Sequence, residues 1–158
     1  MSFGQSFQIT PVIMLRAAAA IVNGGKLVTP HFAVKAAGAD GETVQEFCYE
    51  TVTDAITEET SNTMKDILRQ VVEDGGGKIA YIEGFSIGGK TATSQKLPRG
   101  SGKYIASFVG FSSVDNPRVI AMCLIDEPQG VYYGGTIAAP VIRELFENIL
   151  PYLEIYPN

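Results

Sequence analysis

The sequence predicts an α/β protein of the α+β type, a three-stranded antiparallel sheet with packed helices. Three observations predict it. First, three apolar, β-prone runs, Ile87 to Ser94, Tyr104 to Phe111 and Arg118 to Asp126, are separated only by the turn sequences Pro98-Arg99-Gly100 and Asp115-Asn116-Pro117. Connections this short allow only antiparallel pairing. Second, segments on either side of these runs carry helical apolar spacing. Third, 158 residues of 46 % hydrophobic composition make one domain, long enough to bury roughly 70 % of its unfolded surface.

Taken in chain order, Thr10-Pro11 is a cap residue followed by proline at a first helical position, and Val12 to Val22 runs unbroken to Asn23-Gly24-Gly25. This predicts a short, Ala-rich helix. From Lys26 to Val52 the pattern loosens. Val28, Phe32 and Val34 alternate, Gly38 to Gly41 is a turn, and Val44 to Tyr49 is a weak strand, so a surface lobe of short strands is expected. Thr57 opens a second helix with Glu58, Glu59 and Thr60 in its first turn. Met64, Ile67, Leu68, Val71 and Val72 recur at helical spacing, and Gly75-Gly76-Gly77 ends it. After the three strands, Val141, Ile142, Leu145, Phe146, Ile149 and Leu150 mark one apolar stripe on a helix from Ala139 to Leu150, which Pro151 should end. That stripe needs a sheet face to cover.

Twelve basic against 17 acidic side chains give a formal charge of −5, which argues against nucleic acid as a partner. No apolar run approaches the roughly 20 residues of a membrane span, and no signal peptide is visible, so the chain itself is expected to be soluble. Cys48 and Cys123 form no C-x-x-C pair, and neither zinc nor another metal or cofactor is implied. Cys123 lies in an apolar run and reads as core filling. His31, the only histidine, has no second ligand spaced to join it and reads as a surface residue.

Gly84 to Thr91 satisfies G-x-x-x-x-G-K-[ST], and Val119 to Asp126 is an apolar run ending in aspartate, a pairing that taken alone points to a nucleotide-binding P-loop. A P-loop needs a helix directly after its Lys-Thr pair, because the helix N-terminus holds the phosphates. Here Pro98, Gly100 and Gly102 follow too soon, and the next strands are joined by turns rather than helical crossovers. If Ile87 to Ser94 is instead a strand, Lys90, Ala92 and Ser94 share one face and Thr91 and Thr93 the other. A strand with a lysine, hydroxyls and free N–H groups can bind a carboxylate and stabilise an oxyanion. A solvated lysine on an edge strand is the plain alternative.

Blocks along almost the whole chain resemble the C-terminal half of a class B penicillin-binding protein transpeptidase domain. They are Ser2-Phe3-Gly4-Gln5, Thr10-Pro11, Asn23-Gly24-Gly25, Gly88-Gly89-Lys90-Thr91-Ala92-Thr93, Ser107 to Phe111, Asp115-Asn116-Pro117 and Tyr132-Tyr133-Gly134-Gly135. The resemblance is greatest to the stage V sporulation protein D-like and cell-division branches. It implies part of a serine transpeptidase/β-lactamase-like fold, and a parent that cross-links peptidoglycan stem peptides ending in D-Ala-D-Ala and is acylated by β-lactams. It further implies an extracytoplasmic, membrane-anchored parent. Enzymes of this family use S-x-x-K, S-x-N and K-T-G or K-S-G motifs. Only the third is present: none of the nine serines has lysine three positions on or asparagine two positions on. The nucleophile and its activating lysine are therefore missing, and the chain as given should form no acyl-enzyme.

By the resemblance, Lys90 holds the substrate carboxylate and supports proton transfer, Thr91 and Thr93 contact that carboxylate, and the Thr93 N–H is half of the oxyanion hole. Gly89 and Ala92 complete the substrate-binding strand. Ala92 departs from the family's glycine and places a methyl group where ligand and backbone approach closely. Tyr132, Tyr133, Gly134 and Gly135 admit a turn packed near the strand bearing Lys90, although aromatic residues before a helix more commonly staple into the core. In the complete family fold the Arg118 to Asp126 strand pairs with a strand of the other half. Its apolar outer edge should be unpartnered here, and a homodimer through it is expected. A non-catalytic module that binds wall peptides or a partner protein is the competing reading.

Overall fold

The computed structural model describes residues 8–157; the Ser2-Phe3-Gly4-Gln5 block lies outside them. Helix α1 (Pro11–Val22) begins with its proline at the first helical position. Thr10 is extended before it, but its side chain makes no capping bond, and the helix is started instead by the Thr10 carbonyl accepting from Met14 N–H at 3.0 Å. The lobe follows as four short strands: β1 (Leu27–Val28), β2 (Lys35–Ala37), β3 (Thr43–Glu46) and β4 (Thr51–Val52). Strand β1 pairs with β4 and β2 with β3, both antiparallel. The expected Val44 to Tyr49 strand stops at Glu46. Beyond it, Tyr49 leaves the ladder to stack on His31 at 3.8 Å between ring centroids.

Helix α2 (Glu58–Glu73) is capped as its sequence predicts, the Thr57 hydroxyl accepting from Thr60 N–H at 3.1 Å. Ser61, wholly buried, ties it to α1: its hydroxyl donates to Ile21 O (2.7 Å) and accepts from Gly24 N–H (3.0 Å). A 3₁₀ turn, Lys78–Ala80, for which the sequence pattern gives no signal, follows α2. The main sheet is β5 (Ile87–Gln95), β6 (Tyr104–Ser112) and β7 (Val119–Asp126), in the order β5-β6-β7 and antiparallel throughout. Residues 91–95 are strand rather than helix, so the G-x-x-x-x-G-K-[ST] match lacks the helix N-terminus that phosphate binding requires. Both β5 and β7 are edge strands among the described residues.

A short helix α3 (Gly134–Ile137), absent from the sequence expectation, leads into α4 (Ala139–Tyr152). Helix α4 continues through Pro151. The proline sits in the last turn, where its missing N–H affects only one carbonyl, and the end is closed by Leu153 N–H to Ile149 O (2.9 Å) and Ile155 N–H to Leu150 O (2.9 Å). Its stripe is narrower than the sequence pattern. Ile142, Phe146 and Leu150 are fully buried, whereas Val141 and Leu145 remain exposed.

Register divides the sheet into two faces. Gly89, Thr91, Phe108, Gly110, Ala121 and Cys123 share one face, where Phe108 joins Ile142, Phe146 and Leu150 in the main core and Cys123 packs against it. Burial raises the Cys123 thiol pKa above its usual value. Lys90, Ala92, Ser107, Val109, Met122 and Leu124 share the other face. There only one end is covered, by the cluster of Phe111, Val22 and Val114 with Ile120 and Leu68 against it. Leu124 is exposed beyond it, as are Val12 and Ile13 on α1.

Candidate active-site strand

Strand β5 has a sequence poor in side-chain bulk at its start because its neighbours fill that space. A Cβ on Gly88 would lie 2.3 Å from the Phe111 ring, and one on Gly89 2.5 Å from the Phe108 ring. Two phenylalanines of β6 thus press against the Gly88-Gly89 backbone and fix the strand from both faces. The next residues turn polar and reach the surface: Lys90 and Ala92 are exposed, Thr91 and Thr93 half-buried.

Thr91 and Thr93 lie against α3. The Thr93 hydroxyl oxygen accepts a hydrogen bond from Gly134 N–H at 3.1 Å. Gly134 and Gly135 dock backbone to backbone: a Cβ on Gly134 would stand 2.3 Å from both Ala92 O and Ser107 O, and one on Gly135 would stand 2.6 Å from Gly76 O. No residue with a side chain fits at either place. Together these segments line a cavity of about 320 Å³ formed by Gly76, Ile79, Thr91, Ala92, Thr93, Tyr133, Gly134, Gly135 and Thr136.

Lys90 projects to the opposite face and does not line that cavity. Its Nζ donates to Thr91 O at 2.8 Å. The ammonium is thus folded onto its own strand's edge. Because the N–H and C=O of one residue point to the same side of a strand and alternate along it, the Thr91 carbonyl and the Thr93 N–H both turn toward the free edge of β5. The strand brings Lys90, Thr91, Ala92 and Thr93 to one edge, with the cation on one side of the pleat and the hydroxyls on the other.

Tyr132 and Tyr133 do not staple into the core. Tyr132 stacks on Tyr104 at 4.0 Å and 7°, Tyr133 meets Tyr132 at 4.6 Å, and Tyr133 is 58 % exposed at the cavity mouth. The Tyr132 contact raises the Tyr133 phenol pKa, chiefly through their hydroxyl hydrogen bond of 3.5 Å. The buried member of this segment is Gly134, with Gly135 half-buried beside it. Their adjacency in the sequence was the available signal, since two successive glycines opening a helix serve close approach rather than helix stability.

Beyond Thr93 the end of β5 is held by charge. Lys96 Nζ reaches Asp126 (2.9 Å) and Glu127 (2.8 Å), and Lys103 reaches Glu127 at 3.0 Å. The Glu127 carboxyl is held below its usual pKa first by the Lys96 hydrogen bond and then by Lys103. Lys96 is held above its own by the same bond and by Asp126. His31 lies far from this strand in sequence, in the lobe, where its Nδ1 lies 2.7 Å from Thr29 O. Among the described residues no group of three His, Cys, Asp or Glu side chains is placed to hold a metal ion, and no helix is long and apolar enough to cross a membrane.

The family model described as the penicillin binding protein transpeptidase domain matches residues 1–147. Stage V sporulation protein D of Bacillus subtilis is 36 % identical over 162 residues, covering 99 % of this chain and 25 % of its own length. The probable peptidoglycan D,D-transpeptidase PenA of Neisseria flavescens is 33 % identical over 163 residues, covering all of this chain and 38 % of its own. Among solved structures, penicillin-binding protein 3 of Mycobacterium tuberculosis in complex with ampicillin superposes with a TM-score of 0.83 at 25 % identity. That match covers 98 % of this chain and 37 % of the other. The chain therefore spans about a quarter to two fifths of the length of these relatives.

Proposed function

The chain belongs to the penicillin-binding protein transpeptidase family, and from that premise we propose that it is the substrate-carboxylate-binding portion of a peptidoglycan D,D-transpeptidase. The observation that carries the proposal is the composition of the β5 edge. Lys90, Thr91 and Thr93 meet at one free edge beside a cavity, with the Thr93 N–H turned outward and its hydroxyl held by Gly134. A carboxylate set there meets an ammonium and hydroxyl donors, and an oxyanion meets a fixed backbone N–H. In this reading Lys90 and Thr93 take part in catalysis, and Gly89, Thr91, Ala92 and Thr93 bind the substrate. The ligands are stem peptides ending in D-Ala-D-Ala and β-lactams, met outside the cytoplasm in a membrane-anchored parent.

The acyl-accepting serine must come from a segment other than these residues, since no serine here stands in an S-x-x-K motif. The uncovered sheet face supports where that segment sits. Lys90 shares this face with Val109, Met122 and Leu124, so a polypeptide that covered the apolar residues would bring its own side chains beside the lysine ammonium. In the chain alone, the same face and the β7 edge would favour pairing of two copies.

Incubation with a fluorescent penicillin, followed by denaturing electrophoresis, tests the reading on the chain itself. No covalent label is expected, while a D-Ala-D-Ala-terminated peptide shifts the amide resonances of residues 90–93 in the wild-type chain and not in Lys90→Ala. Covalent labelling would overturn the claim that the nucleophile lies elsewhere, and unperturbed resonances would remove β5 from substrate binding. The competing reading, a non-catalytic binding module, predicts the same shifts but no penicillin acylation when the complete domain is assembled.

A further inference from the structure

Residues 27–56 hold one lysine against five carboxylates, Asp40, Glu42, Glu46, Glu50 and Asp54, a net −4 out of the whole chain's −5. Among the described residues the same segment is almost wholly exposed. Every residue of β2 and β3 is exposed. Phe32 is fully exposed and Val34 62 % exposed, and Phe47 stands opposite Val34 through its N–H to Val34 O bond of 3.0 Å. A two-stranded ribbon with both edges open is marginal in water unless a third element covers it, and a free phenylalanine beside a free valine is a surface that excludes water only when something lies on it.

We propose that this lobe is a docking surface for a cationic polypeptide segment carrying apolar side chains, bound along the open β2–β3 ribbon. Charge selects the occupant. A second copy of this chain would bring another −4 against the first, and an anionic membrane surface would repel the lobe in the same way. A segment that alternates lysine or arginine with valine or leucine answers both features: its cations meet Asp40, Glu42 and Glu46, the last of which stands opposite the lobe's one lysine, Lys35, and its apolar residues cover Phe32, Val34 and Phe47. Added as an extended strand, it also satisfies the ribbon's unpaired backbone groups. This surface involves none of the residues assigned above to carboxylate binding, so it stands or falls independently of them.

The test titrates the 158-residue chain with a synthetic decapeptide of alternating lysine and valine, by calorimetry and by amide-resonance mapping. A lysine-serine decapeptide and anionic phospholipid vesicles serve as comparisons. Binding of the lysine-valine peptide is expected to perturb residues 31–47, to weaken about tenfold or more in Phe32→Ser/Val34→Ser, and to weaken between roughly 0.05 and 0.3 M salt. The lysine-serine peptide is expected to bind at least about tenfold more weakly. Because both substituted side chains are already in water, the thermal midpoint should not change, and Phe32→Ala alone provides a milder variant with the same readout. Unchanged affinity in the double variant, or perturbations confined to other residues, overturns the proposal. So does vesicle binding that depends on Phe32, or self-association of the chain that the double variant abolishes.

Discussion

Replacement of Gly134 by alanine should unlock the candidate site without touching any of its polar side chains. The added Cβ would lie 2.3 Å from Ala92 O on one strand and 2.3 Å from Ser107 O on the next, roughly 1 Å short of ordinary van der Waals separation. Both obstacles are backbone in the middle of a sheet, so neither can rotate aside, and α3 must lift away. Overpacking of this kind costs about 1–3 kcal/mol. The lifted helix also gives up the Gly134 N–H bond to Thr93, worth about 1 kcal/mol. A total of about 2–4 kcal/mol lowers the midpoint of a domain this size by roughly 5–15 °C, and it leaves the Thr93 hydroxyl unanchored. Gly76→Ala is the matched control, because a Cβ there meets nothing within 4 Å, and its change should stay within about 0.5 kcal/mol. Differential scanning calorimetry with the peptide titration described above measures both consequences. The reasoning is refuted if Gly134→Ala melts within about 2 °C of the wild type, or if Gly76→Ala melts as low.

Ser61→Ala strands Ile21 O and Gly24 N–H at a fully buried position and should cost about 1–3 kcal/mol in urea unfolding; a cost near zero would show the α1–α2 tie to be dispensable. Glu127 has a lowered folded-state pKa, from the Lys96 bond first, so its contribution is present above the ordinary carboxylate pKa and is lost as pH falls through the depressed value. Lys96, raised, contributes below the ordinary lysine pKa and loses that contribution as pH rises through the raised value. Glu127→Gln should therefore flatten both the acid and the alkaline limbs of the stability profile, and an unaltered profile counts against the cluster. Lys90→Ala, at an exposed position, should leave the melting temperature nearly unchanged while lowering acylation by orders of magnitude in a complete domain; acylation at the wild-type rate would take Lys90 out of the mechanism. Light scattering across a dilution series should show a dimer of the 16.9 kDa chain, and a constant monomer mass would show that the β7 edge recruits no second copy.

What was legible in the sequence is what local chemistry decides. Thr57 capped its helix because its hydroxyl is at hand for Thr60 N–H, whatever the rest of the chain does. The three strands and their pairing followed from turns too short for any crossover. The alternation that parts Lys90 from Thr91 and Thr93 is a property of any extended chain. What the sequence leaves undecided depends on distant partners. Gly134 and Gly135 matter because Ala92 O, Ser107 O and Gly76 O come to meet them, and no spacing within Tyr132 to Thr136 encodes that encounter. For the same reason the sequence leaves both a turn near the Lys90 strand and a core staple open for Tyr132 to Gly135; the structure takes the turn, with Gly134 buried against β5 and β6. The apolar stripe of α4 overstated its buried width, since Val141 and Leu145 have helical spacing but no sheet beneath them.

In the binding mode proposed above, the pleat at Lys90 and Thr91 would make β5 a detector of handedness. A ligand that touches the lysine on one side, the threonine hydroxyls on the other and the backbone N–H in the rim between them is held at three points that are not in line. Because the ligand can approach only from the open side of the strand, its mirror image can meet any two of these but misses the third. Choice between D- and L-configured ligands would then need no pocket shaped to exclude the wrong enantiomer. It comes from the two-residue repeat of an extended chain left open on one side, and a shift of that chain by one residue would turn the Thr93 N–H into the ladder and abolish it.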